Sequence, residues 1–193
     1  CNHTSKVSAH YLIKRNGNIL NLVPDLYEAW HAGKSYWKKY KSLNKHSIGI
    51  EIQNTGHDHK YENFSFYQLN SLKRLLKILK NTYKINYKNI LGHSDIAPFR
   101  KKDPGEKFPW KNLSKNKLTY WHTLNEKKLK KFRLVLLSFK KEKEFLRNLH
   151  KFGYKTIKTS NIDNRKKILV KAFQRRFRQQ LINGIMDEEC FLI

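Results

Sequence analysis

His93 and Asp103 stand ten positions apart in the stretch Leu91–Trp110, LGHSDIAPFRKKDPGEKFPW. His93 directly follows a short apolar run, Asn89-Ile90-Leu91-Gly92, that reads as a buried strand, and Asp103 opens a rigid Asp-Pro-Gly turn. An imidazole at a strand end and a carboxylate held in a turn are suitable ligands for a borderline metal such as zinc. Catalytic zinc sites commonly use three protein ligands and leave the fourth position to water. Three consecutive cations, Arg100, Lys101 and Lys102, lie between the pair, and a cation beside such a site could stabilise the oxyanion formed when water attacks a carbonyl. On spacing alone, the more ordinary reading is a surface histidine and a turn aspartate.

Two further stretches carry candidate chemistry. Ser47–Asn54 alternates, with Ile48, Ile50 and Ile52 on one face and Gly49, Glu51 and Gln53 on the other. Glu51 in such a strand is ordinarily an exposed charge; if its face floors a metal cleft, it can take the proton of an attacking water. Ala29-Trp30-His31-Ala32-Gly33, followed by Ser35 and Trp37, can form a wall for a sugar or peptide, because flat rings stack on apolar ligand faces. Equally, Trp30 can simply anchor a loop. His10, within a strand facing a core, reads as a hydrogen-bonded structural residue. His57 and His59 fall in a polar loop and are assigned no role.

Those residues need a frame. Val7–Ile13 reads as a strand, Asn16-Gly17 as a hairpin turn and Ile19–Val23 as the returning partner. Ser65-Phe66-Tyr67-Gln68 fits a capping box, followed by Leu69, Leu72, Leu75, Leu76 and Leu79 at helical spacing. Strand, helix and strand would then deliver His93 at a strand's carboxyl end, where ligands gather in α/β sheets. After Trp110 the composition shifts to lysine-rich linker and surface helix. Phe145–Phe152 and Arg165–Phe177 read as amphipathic helices separated by Gly153-Tyr154, with Asp163 or Asn164 as a cap for the second.

Composition bounds the function. The 193 residues suit one medium domain plus a small appendage, and a hydrophobic fraction of 39% supports a real core. The formal net charge of +26 predicts anionic partners, whether nucleic acid, acidic headgroups or a carboxylate-bearing polymer. An AT-rich coding sequence, favouring lysine, gives the same excess. Cys1 and Cys190 offer no disulfide framework. No run approaches the ~18 apolar residues of a membrane span. The chain begins with Cys rather than Met, which leaves room for processing upstream.

The His93–Asp103 stretch closely resembles the zinc-binding segment of type 2 N-acetylmuramoyl-L-alanine amidases, the AmpD/AmiD-like family, whose pattern is G/A-H-S/A-D-I-A-P-x-R-K-x-D-P-G-x-x-F-x-W. The resemblance implies that His93 and Asp103 ligate Zn2+. It also implies that Glu51, in an S-I-G-I-E motif, acts as the base. Lys101, rather than Lys102, takes the family's catalytic lysine offset, and Trp30 and His31, in an A-W-H-A-G-x-S-x-W segment, line the substrate cleft. The V-S-A-H-Y-L-I strand and its hairpin match as well, and the family does not use the His10 position on zinc. The implied fold is α/β, a central mixed β-sheet flanked by helices, followed by a small all-helical domain. The expected division is 1–120 catalytic, 121–140 linker and helix, and 141–193 helical. Ala172–Phe177 with Asn183-Gly184 resembles a short peptidoglycan-binding module, expected to be incomplete at Ile193; a helical appendage is the other reading.

The family's third zinc ligand sits in an I-H-x-T-type first strand, well upstream of V-S-A-H-Y. Here six residues precede Val7, spanning at most roughly 20 Å. His3-Thr4 has the right residue types, but the expectation is that the first strand is missing from this chain. The implied activity is hydrolysis of the amide between N-acetylmuramic acid and L-alanine in peptidoglycan or muropeptides. A monomer is expected, in the periplasm or cell envelope, with a cytoplasmic recycling role as the alternative. A peptidoglycan binder without catalysis is the competing reading. Nucleic-acid binding, suggested only by charge, is a distant third, since no recognised motif supports it.

Overall fold

The computed structural model describes residues 7–155 and 162–193. In chain order its strands are β1 (Tyr11–Ile13), β2 (Ile19–Asn21), β3 (Tyr36–Trp37), β4 (Tyr40–Lys41) and β5 (Ile50–Ile52). Its α-helices are α1 (Phe66–Thr82), α2 (His93–Ile96), α3 (Trp110–Ser114), α4 (Glu126–Leu129), α5 (Phe139–Phe152), α6 (Ile162–Phe177) and α7 (Glu188–Leu192). The described residues fall into two compact units whose segments alternate along the chain. The first holds the chain up to Tyr36, then Tyr40–Leu91 and Lys107–Tyr120; the second holds Trp37–Lys39, Gly92–Glu106 and Trp121 onward.

In the first unit the sheet order is β2-β1-β5, with β1 antiparallel to β2 and parallel to β5. The sheet is mixed, as the sequence predicts. Asn16-Gly17 makes the expected turn: Gly17 adopts φ +88°, and Lys14 N–H donates to Asn18 at 2.9 Å. The strands are shorter than their hydrophobic runs, and His10 shows why. The N–H groups of His10 and Tyr11 both donate to the Gly49 carbonyl, at 3.0 and 3.1 Å, which is the two-against-one count of a bulge. The His10 ring is only 1% exposed. Its Nε2–H donates to the Tyr27 carbonyl and its Nδ1 accepts from Gly49 N–H, both at 3.0 Å, so this histidine is structural.

Helix α1 starts at the expected capping box: Ser65 Oγ accepts from Gln68 N–H at 3.1 Å, and Gln68 Oε1 accepts from Ser65 N–H at 3.0 Å. Gln68 Nε2 also donates to the Gln53 carbonyl just past β5, tying the helix start to the sheet. Leu72, Leu75, Leu76 and Leu79 form the buried stripe, each worth about 2 kcal/mol of apolar burial.

Among the described residues one expected strand is not formed. Asn89–Gly92 is not a strand: Tyr87–Asn89 is a 3-10 turn whose start is capped by Asn86, and His93 opens α2 instead of ending a strand. The apolar pair Ile90-Leu91 gave the strand signal. The local hydrogen bonds decide otherwise, because Ile90 N–H returns to the Tyr87 carbonyl at 3.4 Å.

The second unit is helical. Phe145 meets Phe173 edge-on at 5.3 Å, while Phe177 lies 5.1 Å from Phe173 and 5.8 Å from Phe152. Gly153 ends α5 with φ +148°, and a Cβ there would stand 2.5 Å from the Trp37 ring. Asp163 is not a cap; it lies in the first turn of α6, paired with Lys166 at 3.3 Å. Buried charges stitch the end of the chain. Arg178 pairs with Asp187 and, at 3.2 Å, with Glu189, which also receives Arg133 at 2.6 Å. Asp187 caps α7 by accepting from Cys190 N–H at 3.0 Å. No helix among the described residues is long and apolar enough to cross a membrane.

Candidate active site

The second unit brings His93 and Asp103 together. Within α2 the Gly92 N–H donates to Asp95 Oδ2 at 2.8 Å, which fixes the helix start against His93. The N–H groups of Arg100 and Lys101 both donate to the Ala97 carbonyl at 3.0 Å, turning the chain back. Ser94 N–H then donates to the Asp103 carbonyl at 2.8 Å. The outcome is a closed loop with His93 Nδ1 3.1 Å from Asp103 Oδ2. The imidazole side chain is 15% exposed and the carboxylate 56%. Arg100 Nη2 stands 3.4 Å from His93 Nε2; a guanidinium only donates, so Nε2 accepts there and Nδ1–H faces the carboxylate.

Electrostatics sort the three cations. Desolvation pushes the Asp103 carboxyl up, but the hydrogen bond from His93, a backbone N–H and the Lys101 charge hold it below the ordinary range. Lys101 is half-buried, whereas Lys102 is exposed. Lys101 is therefore the lysine whose charge reaches the pair. The donor set suits zinc: nitrogen and oxygen ligands on one tetrahedral ion stand about 3.3 Å apart. Among the described residues no third His, Cys, Asp or Glu joins these two. His3 lies outside the described residues.

The other candidates belong to the first unit. Glu51 is the middle residue of β5, opposite Leu12 of β1, with an exposed side chain. The indole of Trp30 is 52% exposed, while its backbone is pinned on both sides: its N–H donates to Ser8 Oγ at 2.8 Å and its carbonyl accepts from Ser8 N–H at 3.2 Å. His31 is held differently. Nδ1–H donates to the Ala29 carbonyl and Nε2 pairs with Ser47 Oγ, both at 2.9 Å. Its ring covers Gly49 so closely that a Cβ there would stand 2.3 Å from Cγ. Both ring nitrogens of His31 are thus engaged within the unit, and what it can offer a ligand is the flat of the ring.

Sequence reasoning passed over Asp95, Tyr154 and Arg176. Asp95 is 1% exposed; its Oδ1 accepts from the Tyr154 hydroxyl and its Oδ2 from Arg176 Nη1, both at 2.7 Å. Burial pushes the Tyr154 phenol well up, so it keeps its proton and donates. The available signal was an arginine set between Phe173 and Phe177 on an apolar helix face.

A family model for N-acetylmuramoyl-L-alanine amidase, Amidase_2, matches residues 1–106, the span that contains β1 to β5, α1 and the His93–Asp103 loop. The chain belongs to this amidase family. Its members are hydrolases that act on an amide bond. The amidase is 33% identical to N-acetylmuramoyl-L-alanine amidase AmiD of Escherichia coli K12 over 196 residues, covering 95% of this chain and 71% of the relative. It is 43% identical to the same organism's 1,6-anhydro-N-acetylmuramyl-L-alanine amidase AmpD over 105 residues, 54% of this chain and 55% of that protein. The chain therefore aligns with about half the length of AmpD. The structure of E. coli AmiD in complex with anhydro-N-acetylmuramic acid-L-Ala-D-gamma-Glu-L-Lys superposes with a TM-score of 0.85 at 32% identity, covering 97% of this amidase and 77% of that chain. AmpDh3 from Pseudomonas aeruginosa gives 0.83 at 34% identity, covering 97% and 80%. This amidase thus has the type 2 amidase fold.

Proposed function

We propose that the chain hydrolyses the amide joining N-acetylmuramic acid to L-alanine in peptidoglycan or its anhydro-muramyl peptide fragments, with zinc held by His93 and Asp103. The observation that supports this most is the 3.1 Å approach of His93 to Asp103 in a chain of the amidase family. Zinc bound there supplies Lewis-acid polarisation of the carbonyl and activates water near neutral pH. A third ligand comes from outside the described residues, and His3 is the candidate in this chain. Glu51 takes a proton from the attacking water and passes it to the departing L-alanine nitrogen. The Lys101 ammonium stabilises the negative oxygen that develops on the attacked carbonyl. Trp30 stacks on the ligand, and His31 offers it the flat of its ring.

A net charge of +26 favours a substrate whose stem peptides carry carboxylates, and this attraction weakens with salt. Peptidoglycan as substrate places the work in the periplasm or cell envelope; soluble recycled fragments would place it in the cytoplasm. The test is digestion of a purified anhydro-muramyl tetrapeptide by the zinc-supplemented chain, followed by mass spectrometry. The expected products are the free peptide with an L-alanine amino terminus and the intact anhydro sugar acid. Unchanged muropeptide that nevertheless binds to the chain, with or without chelator, would favour a binding protein instead.

A further inference from the structure

The helical part of the second unit holds the ligand loop at two points. Arg176 of α6, 1% exposed, forms a buried ion pair with Asp95, two residues after His93. The Tyr154 hydroxyl, just past α5, takes the other oxygen of the same carboxylate. Arg165, in the first turn of α6, lays its guanidinium 3.9 Å from the centre of the Phe99 ring, between His93 and Asp103 in sequence. Asp95 Oδ2 simultaneously accepts from Gly92 N–H, so one carboxylate fixes the backbone in front of His93 and links it to two distant side chains.

We propose that α6 and Tyr154 are positioning elements of the metal site: Arg176, through Asp95, sets the His93 imidazole in ligating register with Asp103. The reading of the carboxyl-terminal helices changes with it. They serve the amidase as scaffold of the ligand loop, whatever else they bind. A charge pair between elements 81 residues apart is a costly way to anchor a loop. It is suited to a loop whose geometry has to be kept to a fraction of an ångström. Tyr154 has the complementary part, since its hydroxyl directs the second carboxylate oxygen and so fixes the rotation of Asp95.

This proposal rests on zinc being held by His93 and Asp103, and the experiment separates the two. Zinc affinity of the full chain is measured by competition with a chromophoric chelator for the parent, Arg176→Lys, Tyr154→Phe and a control, Phe145→Leu. The control loosens the α5–α6 core without touching Asp95. All are read at a temperature where circular dichroism shows them folded. Arg176→Lys should bind zinc 10–100-fold more weakly, as loss of an outer partner does. Tyr154→Phe should lose roughly 5-fold, the worth of one hydrogen bond. Phe145→Leu should stay within roughly twofold of the parent. Should Arg176→Lys fail to fold, Tyr154→Phe still decides. Unchanged affinity in the Arg176 and Tyr154 variants, or an equal loss in the control, overturns the positioning role while leaving zinc binding intact. A parent that holds no zinc overturns the metal assignment itself, and this proposal with it.

Discussion

Nδ1 of His93 lies 3.1 Å from Oδ2 of Asp103, and the Asp103 carbonyl accepts the N–H of Ser94, the residue after His93. Side chain and backbone therefore close the same loop. The two donors converge because α2 and the Asp103 turn share a backbone hydrogen bond, which sequence separation alone does not reveal.

Lys101 is the cation whose charge reaches Asp103, and its neighbour Lys102 is exposed. Lys101→Ala should lower kcat by about 10²–10³-fold while keeping zinc, the scale of losing one stabilising donor for an oxyanion. Lys102→Ala should stay near the parent rate. Steady-state kinetics on a muropeptide, with metal content measured in parallel, distinguishes the two. Normal turnover by Lys101→Ala would remove it from the catalytic group.

Asp187 makes an acid-sensitive lock. Burial raises its pKa, but N–H donation from Cys190 and Leu134 and the ion pair with Arg178 more than offset this, leaving it below the ordinary value. A depressed carboxyl contributes stability above its unfolded value of about 3.9 and loses that contribution as pH falls through its folded value. Thermal melts should therefore show the parent weakening as pH drops below about 4. Asp187→Asn should be less stable at pH 7 by roughly 1–3 kcal/mol, because the buried Arg178 then keeps only Glu189, at 3.2 Å, as its anion. Its melting temperature should also change less on acidification. Equal acid sensitivity in parent and variant would contradict this account.

Gly49 has no room for a side chain, since a Cβ would stand 2.3 Å from His31 Cγ. Gly49→Ala should push the ring off its Ala29 and Ser47 partners and cost about 1–3 kcal/mol. Denaturant unfolding checks the stability. A variant as stable as the parent would mean that the His31 ring shifts without loss.

Much of the frame was legible. The Asn16-Gly17 turn, the Ser65–Gln68 box and the leucine stripe of α1 are local signals, and local hydrogen bonds satisfy them. His10 read as structural because an imidazole in a core-facing strand needs two partners, and it has them. Asn89–Gly92 is expected to be a strand because a short apolar run does not reveal that Tyr87–Asn89 forms a turn. The Ile90 amide closes that turn on the Tyr87 carbonyl, and the Gly92 amide goes to Asp95. His31 drew attention as a polar group beside a tryptophan, but its engagement by Ala29 and Ser47 depends on where the loop folds. The Asp95–Arg176 pair joins residues 81 apart, and no periodicity reports such a link.

The most direct test of the central claim is zinc content per chain, by elemental analysis after extensive dialysis, for this 193-residue protein and its Asp103→Ala variant. The account predicts about one zinc per chain in the parent and almost none in the variant. Little zinc in the parent, or equal zinc in both, would contradict the assignment of His93 and Asp103 as the ligands of a catalytic metal.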